Sequence, residues 1–153
     1  MQPRNKALFI DRDGTINMDC PYCYKPEDLK IFDDAVRLMK EWQDKGYLII
    51  IVTNQSGISR KYFTVQQMDA FNNALLLKLR KSGVFVNAIY YCPHLPEDNC
   101  SCRKPKDGMV RQAVDDFNID LNQSIIIGDR DDIEGVMARS LGIPYRIIAH
   151  QPL

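Results

Sequence analysis

The chain has no surplus of either charge. Its 153 residues carry 20 lysines and arginines against 20 aspartates and glutamates, so the formal net charge is zero. Without a field of one sign, electrostatic capture of nucleic acid or of an anionic membrane surface is not expected. No tract interleaves basic with aromatic residues in the manner that grips single strands, so no nucleic-acid partner is expected either. Long apolar runs are also missing. The longest covers residues 47–52, and a bilayer span takes about 20 residues. The first six residues are polar and the apolar run behind them has only four. No secretory signal is read there, and a soluble cytoplasmic protein is expected. Internal repeats, low-complexity tracts and linkers are absent, and the length suits one domain over residues 1–153. Histidine is scarce: His94 and His150 are the only two.

What is present is an alternation of short apolar runs and helical periodicities. Ala7-Leu8-Phe9-Ile10 reads as a buried strand, as do residues 47–52, 88–91, 124–127 and 145–148. Between them, Ala35, Leu38, Met39 and Trp42 recur at helical spacing behind a cap at Asp33 or Asp34, and Gly46 ends that helix. Thr64 and Gln67 have capping-box spacing ahead of Met68, Phe71, Leu75 and Leu79. Asp107 is placed to cap a helix carrying Met109, Val110, Ala113, Val114 and Phe117, and a last helix runs through Ile133, Val136, Met137 and Leu141 to Gly142. Strands alternating with helices of this length predict an α/β fold: a three-layer, Rossmann-like parallel sheet with helices on both faces. Ligands of such sheets lie beyond the carboxyl ends of the strands.

Polar residues gather at those ends. Asp11 and Asp13 follow the first strand, and residues two apart on extended backbone point to one side. Two carboxylates that close resist ionising together unless a cation lies between them, and Mg²⁺ is a natural oxygen-seeking partner. Thr53 and Asn54 end the second strand, Arg103-Lys104 follows the third, and Gly128-Asp129-Arg130 ends the fourth. Taken singly, these are an ordinary polar turn, a capping threonine and a surface basic pair.

Taken in order, they resemble the four motifs of the haloacid dehalogenase superfamily of phosphatases, beginning with Asp-Arg-Asp-Gly-Thr. The resemblance implies a Mg²⁺-dependent phosphomonoester hydrolase. Asp11 would attack phosphorus to give an aspartyl-phosphate, and Asp13 would serve as acid and then base. Thr53 and Lys104 would bind phosphate. Mg²⁺ would be held by the side chains of Asp11 and Asp129 and the backbone carbonyl of Asp13. Asn54, Arg103 and Arg130 are the candidates for touching the leaving group, since forked arginine donors suit a second phosphate or a vicinal diol. The run from Asp129 to Ile133 is about one residue short for the narrower group within that superfamily which the chain resembles, and this leaves open whether Asp131 or Asp132 assists the metal.

A second cluster is Cys92-Pro93-His94, five residues, then Cys100-Ser101-Cys102. Three thiols and an imidazole make a four-ligand set suited to a closed, structural Zn²⁺ site. Cys102 is bonded directly to Arg103, so the metal would fix where Arg103 and Lys104 point. The remaining pair, Cys20-Pro21-Tyr22-Cys23, looks like a glutaredoxin dithiol, but it stands in a turn-rich loop, and two incidental thiols are expected there. His150 is read as a tail residue. The segment over residues 18–30 is too short for a separate cap domain, so an open site with loop-borne selectivity is expected.

With the Cys/His loop and the Thr-Asn-Gln-Ser-Gly and Cys-Arg-Lys-Pro segments included, the chain resembles the heptose-bisphosphate and histidinol-phosphate phosphatase group over roughly residues 7–148. This implies a small phosphorylated metabolite as substrate, a heptose 1,7-bisphosphate ahead of histidinol phosphate. A non-catalytic, zinc-stabilised binding module on the same scaffold is the alternative of another class.

Overall fold

The four apolar residues ahead of Asp11 form β1 (Ala7–Ile10), each with no solvent exposure. The computed structural model describes residues 4–150. After β1 come α1 (Asp33–Asp44), β2 (Leu48–Asn54), α2 (Val65–Lys81), β3 (Ala88–Cys92), α3 (Gly108–Phe117), β4 (Ile125–Gly128), α4 (Val136–Leu141) and β5 (Tyr145–Ile147). The strands make one sheet in the order β3-β2-β1-β4-β5, every pair parallel. Phe9 of β1 lies between Ile50 of β2 and Ile126 of β4. The chain builds outward from β1 to β3, then returns to the other side of β1 with β4. The order therefore reverses beside β1, which opens a crevice beyond the carboxyl ends of β1 and β4.

Alternate strand residues face opposite sides and fill two cores. Leu8, Ile10, Ile49, Ile51 and Ile127 pack with Met39 of α1 and with Phe71, Leu75 and Leu79 of α2. Phe9, Ile50, Val52 and Ile126 pack with Val110 and Ala113 of α3 and with Met137 and Ala138 of α4. The result is the three-layer arrangement expected from the alternation. Burial of a side chain such as Phe9 or Phe71 contributes roughly 1.5–3 kcal/mol, which is why the apolar rows, not helix propensity, hold the layers together.

Helix starts depart from expectation in instructive ways. Thr64 and Gln67 do form the reciprocal capping box of α2. Neither Asp33 nor Asp34 caps α1: Phe32 occupies that position, and the two carboxylates lie in the first turn, where the helix dipole favours them. Asp107 stands at the cap of α3 without capping it, because its carboxylate accepts from Arg111 Nε at 2.8 Å. A π-helical turn over Asp131–Gly135 precedes α4. Between β1 and α1 the only helical element is the 3₁₀ turn Pro26–Asp28, so among the described residues no cap domain from this segment covers the crevice. Cys20 and Cys23, expected to be incidental thiols, are joined there as a disulfide. Among the described residues no helix is long and apolar enough to cross a membrane.

Candidate active site

The carboxyl end of β1 leads directly into the crevice. Asp11 is 8 % exposed and its backbone N–H donates to Ile127 O at 3.2 Å, which ties β1 to β4 just below the site. The next side chain turns the other way, and Arg12 is completely buried. Its Nε and Nη2 donate to the two oxygens of Asp13, each at 2.9 Å, and Nη1 donates to Asn72 Oδ1 at 2.8 Å. Its guanidinium carbon lies 4.5 Å from the centre of the Phe71 ring. Asp13 also accepts from Asn17 Nδ2 and Gln55 Nε2, at 3.0 and 3.1 Å. Its orientation is thus set by three side chains from β1's loop and from the segment after β2.

Gly14 then makes the turn with φ +87°, and a Cβ there would collide with the Asp129 carboxylate. The glycine is what lets the loop after β4 close over the loop after β1. Thr15 Oγ1 bridges Asp11 and Asp129, 3.4 Å from each.

Lys104 reaches in from the loop beyond β3 and is 3 % exposed. Its Nζ donates to Asp11 Oδ1 at 2.7 Å and to Val52 O at 2.9 Å, and it stands 2.9 Å from Glu134 Oε2. Burial pulls its pKa down, but the charges of Asp11 and Glu134 outweigh that and hold it above the ordinary lysine value. Lys104 is therefore a fixed cation. Glu134, 1 % exposed, has its own pKa raised by burial despite Lys104 beside it. Its Oε2 is near Lys104 but not aligned for a hydrogen bond, and is a buried acceptor without a directed donor. Burial first, and then the charge of Asp11, push Asp129 up to about 6. One ligand oxygen from each of Asp11, Asp129 and Glu134 lies within 4.8 Å of the others. Three crowded carboxylates with one lysine, two of them raised in pKa, form a donor set that fits a hard divalent cation.

The open cleft above this group has a volume of about 390 Å³. Asp11, Asp13, Thr53, Asn54, Arg103, Lys104, Asp129 and Arg130 all line it, so residues from four strand ends converge as their positions in the sequence suggested. Within the cleft they differ. Thr53 is 1 % exposed, and its Oγ1 accepts from Gln55 Nε2 at 2.9 Å. Asn54 does not reach outward for a ligand: its Oδ1 accepts from Lys104 N–H at 2.9 Å and its Nδ2 donates to Lys104 O at 3.2 Å. It clamps the lysine's backbone. Arg103 Nη1 donates to His94 O at 3.3 Å, and Arg130, largely exposed, is paired with Asp132. Neither Asp131 nor Asp132 joins the carboxylate group, since Asp131 pairs with Arg139. Glu134, within the π turn Asp131–Gly135, is instead the third carboxylate of the group.

The second cluster closes next to Lys104. Cys92 Sγ is 3.4 Å from His94 Nδ1 and 3.5 Å from Cys100 Sγ, while Cys102 Sγ is 3.3 Å from His94 Nδ1 and 3.7 Å from Cys100 Sγ. A tetrahedral Zn²⁺ site with arms of about 2.0–2.3 Å has edges of roughly 3.5–3.8 Å. The four separations lie close to those edges, and all four atoms are within 4.8 Å of one another. Burial works against ionising Cys100, but the Arg103 backbone N–H and the Cys92 thiol lower it to about 6, which readies one thiolate for a metal.

Glu134, Arg12, Asn72, Gln55 and His150 are the contributors that sequence reasoning missed. Arg12 carried a usable signal, since strand alternation between two outward aspartates sends it inward. Glu134 carried none, because its approach depends on Gly128, where a Cβ would collide with it. His150 is no loose tail residue. It stacks on Phe32 with ring centres 3.6 Å apart, and its nitrogens lie 2.9 Å from Asp34 Oδ2 and 2.7 Å from Thr15 O.

Comparison with known proteins agrees with this geometry. The family model described as polynucleotide kinase 3 phosphatase matches residues 7–136. The probable D-glycero-D-manno-heptose-1,7-bisphosphate 7-phosphatase of Thermoplasma acidophilum is 53 % identical over 145 residues, covering 95 % of this chain and 91 % of that one. The D-glycero-beta-D-manno-heptose-1,7-bisphosphate 7-phosphatase of Haemophilus ducreyi is 42 % identical over 151 residues, covering 94 % of this chain and 82 % of that one. A crystal structure of D,D-heptose 1,7-bisphosphate phosphatase from B. bronchiseptica, complexed with magnesium and phosphate, superposes with a TM-score of 0.84 at 28 % identity, covering 93 % of this chain and 79 % of that one. With strand order, strand-end residues and relatives in agreement, the chain belongs to the phosphatases of the haloacid dehalogenase superfamily, in the family that holds the heptose-1,7-bisphosphate 7-phosphatases, and is a phosphoric monoester hydrolase.

Proposed function

We propose that this enzyme removes one phosphate from a small sugar bisphosphate, a heptose 1,7-bisphosphate first, through an aspartyl-phosphate on Asp11. The observation that carries the reading is the convergence of Asp11, Thr53, Lys104 and Asp129 on one cleft from four separate strand ends. The relatives' names and the magnesium and phosphate bound by the related crystal structure support it.

The chain's residues divide the work as follows. A phosphate monoester is dianionic and repels a carboxylate nucleophile, so positioning and neutralisation dominate the barrier. Lys104 supplies fixed positive charge, and with its Nζ donating to Asp11 and Val52 O while Glu134 only stands beside it, its third proton is available to a phosphoryl oxygen. The Thr53 hydroxyl, accepting from Gln55, is left free to donate to a second oxygen. Mg²⁺, held by Asp11, Asp129 and the backbone carbonyl of Asp13, would when bound neutralise phosphoryl charge and align the group for in-line attack. An oxygen of Asp11 then bonds to phosphorus while the bond to the leaving alkoxide breaks, and Asp13 gives that alkoxide its proton. Asp13 next takes a proton from the water that hydrolyses the aspartyl-phosphate, which regenerates Asp11. Arg103 and Arg130 are the residues proposed for the second phosphate. We place the reaction in the cytoplasm, where phosphorylated sugars occur and the three thiols of the zinc group stay reduced.

The test is release of inorganic phosphate from a panel holding heptose 1,7-bisphosphate, histidinol phosphate and a 3′-phosphorylated oligonucleotide, with Asp11→Asn as control. The heptose ester should lead in kcat/KM. A lead for histidinol phosphate or the oligonucleotide would replace the substrate assignment, and activity surviving Asp11→Asn would refute the nucleophile. Failure to release phosphate from any ester would favour a binding module.

A further inference from the structure

The segment between β1 and the 3₁₀ turn carries the one cysteine pair left over by the metal group, and it forms a wall of the catalytic cleft. Cys20 and Cys23 are disulfide-bonded, with Cα atoms 5.2 Å apart, and the two residues they enclose, Pro21 and Tyr22, both line the cleft. A ring closed over so few residues removes little entropy from the unfolded chain, so its use is not global stability. What it fixes is local backbone. Tyr22 sits at φ +57°, a region disfavoured for any residue with a Cβ. Its ring, 44 % exposed, meets Tyr62 edge-on at 4.8 Å and has Arg60 5.9 Å from its centre. On the inner side, Cys23 is buried, and its carbonyl accepts at 3.3 Å from Nη2 of Arg12, the residue that orients Asp13.

We propose that Cys20–Cys23 is a redox modification site, opened reversibly by a dithiol reductant, that sets the position of Tyr22 and with it the affinity for the leaving-group half of the substrate. The inference rests on the phosphatase reading of the cleft. A thiolate of the reductant attacks Sγ of Cys20, the more accessible of the two. The S–S bond breaks, and Cys23 leaves as a thiolate beside the Cys20 backbone N–H, 2.9 Å from its sulfur, before taking a proton. The reductant's second thiol, deprotonated, attacks the mixed disulfide, releases Cys20 as a thiol and departs as the oxidised disulfide. Two electrons and two protons pass to the loop, and a disulfide of the same class reverses the exchange. With the ring open, no covalent tie keeps Tyr22 in its left-handed conformation, and affinity falls by the fraction of time the loop is docked. Asp13 keeps Asn17 and Gln55, so KM moves and kcat largely does not.

The test compares zinc-loaded protein in oxidising and dithiothreitol buffers by thiol alkylation with peptide mapping, by chymotryptic cleavage after Tyr22 and Tyr24, and by kinetics on the best sugar bisphosphate. Reduction should open the Cys20–Cys23 pair, speed both cleavages about tenfold and raise KM roughly three- to tenfold, with kcat within about twofold. The Cys20→Ser/Cys23→Ser variant should show the high KM in both buffers. Unchanged KM with the ring shown open overturns the proposal. So does a response to reductant that survives in the double variant, which would assign the effect to Cys92, Cys100 and Cys102. Alkylation and proteolysis need no substrate. A protein that hydrolyses no ester therefore refutes only the phosphatase reading, whereas equal proteolysis in both buffers refutes the loop proposal alone.

Discussion

Arg12→Ala tests how Asp13, the proposed acid of the reaction, is held in place. The side chain is wholly buried and makes a forked pair with Asp13, a bond to Asn72 and a stack on Phe71. Removing one partner of a buried ion pair costs about 3–5 kcal/mol, because the other charge is left without compensation. Asp13 is a fifth exposed and keeps Asn17 and Gln55, which argues for the lower end, about 3 kcal/mol. For a chain of this size that is a fall in Tm of roughly 6–12 °C in thermal unfolding of zinc-loaded protein. Kinetically, Asp13 loses its fixed direction, and general acid catalysis contributes about 10²–10⁴, so kcat should fall around 100-fold with KM little changed. Arg12→Lys keeps the charge but not the fork and should fall between, near tenfold. The discriminating assay uses two esters. An alkyl phosphate needs a proton on its leaving oxygen, whereas 4-nitrophenyl phosphate leaves unaided. The loss should shrink below about tenfold for the aryl ester. Equal losses on both, or an unchanged kcat, would refute the positioning role.

Gly14→Ala combines a left-handed φ with a Cβ against the Asp129 carboxylate, and should cost about 1–3 kcal/mol and most of the activity, read by unfolding and by phosphate release. Metal analysis should find about one zinc per chain, and stripping it should free Cys100 and Cys102 to react and lower activity by displacing Lys104; full activity without zinc would show that the loop is held otherwise. Asp129 binds its proton more tightly folded, at about 6, than unfolded, near 3.8. Without magnesium its contribution is therefore fully present below the unfolded value and is lost as pH rises through about 6. The stability difference between wild type and Asp129→Asn should shift against wild type across that window, and added magnesium should stabilise wild type more above pH 6 than below it. A magnesium effect independent of pH would contradict this.

The layers and the site were legible to different depths. The periodicities of residues 35–42 and 64–79 and the apolar runs at residues 7–10 and 47–52 are local signals, and the helices and strands they imply are present within a residue or two. Likewise, the meeting of Asp11, Thr53, Lys104 and Asp129 at one cleft could be anticipated because ligands of a parallel sheet lie beyond its strand ends, and strand ends can be read along the chain. Cap assignments fared less well at Asp33, Asp34 and Asp107, because a carboxylate near a helix start has competing partners, such as Arg111, that spacing alone does not rank.

By itself, then, the sequence determined the alternation of elements, the four polar strand ends and the Cys/His group that could hold a metal, since each depends on neighbours a few positions apart. Tertiary structure decided the rest: Arg12 meets Asn72 across 60 positions, Asn54 clamps Lys104 across 50, and Glu134 stands beside that lysine. Those contacts follow from the order β3-β2-β1-β4-β5, which brings distant loops over one crevice. No local pattern encodes which buried polar atom finds which partner, because that is settled only when desolvation makes every unpaired one costly.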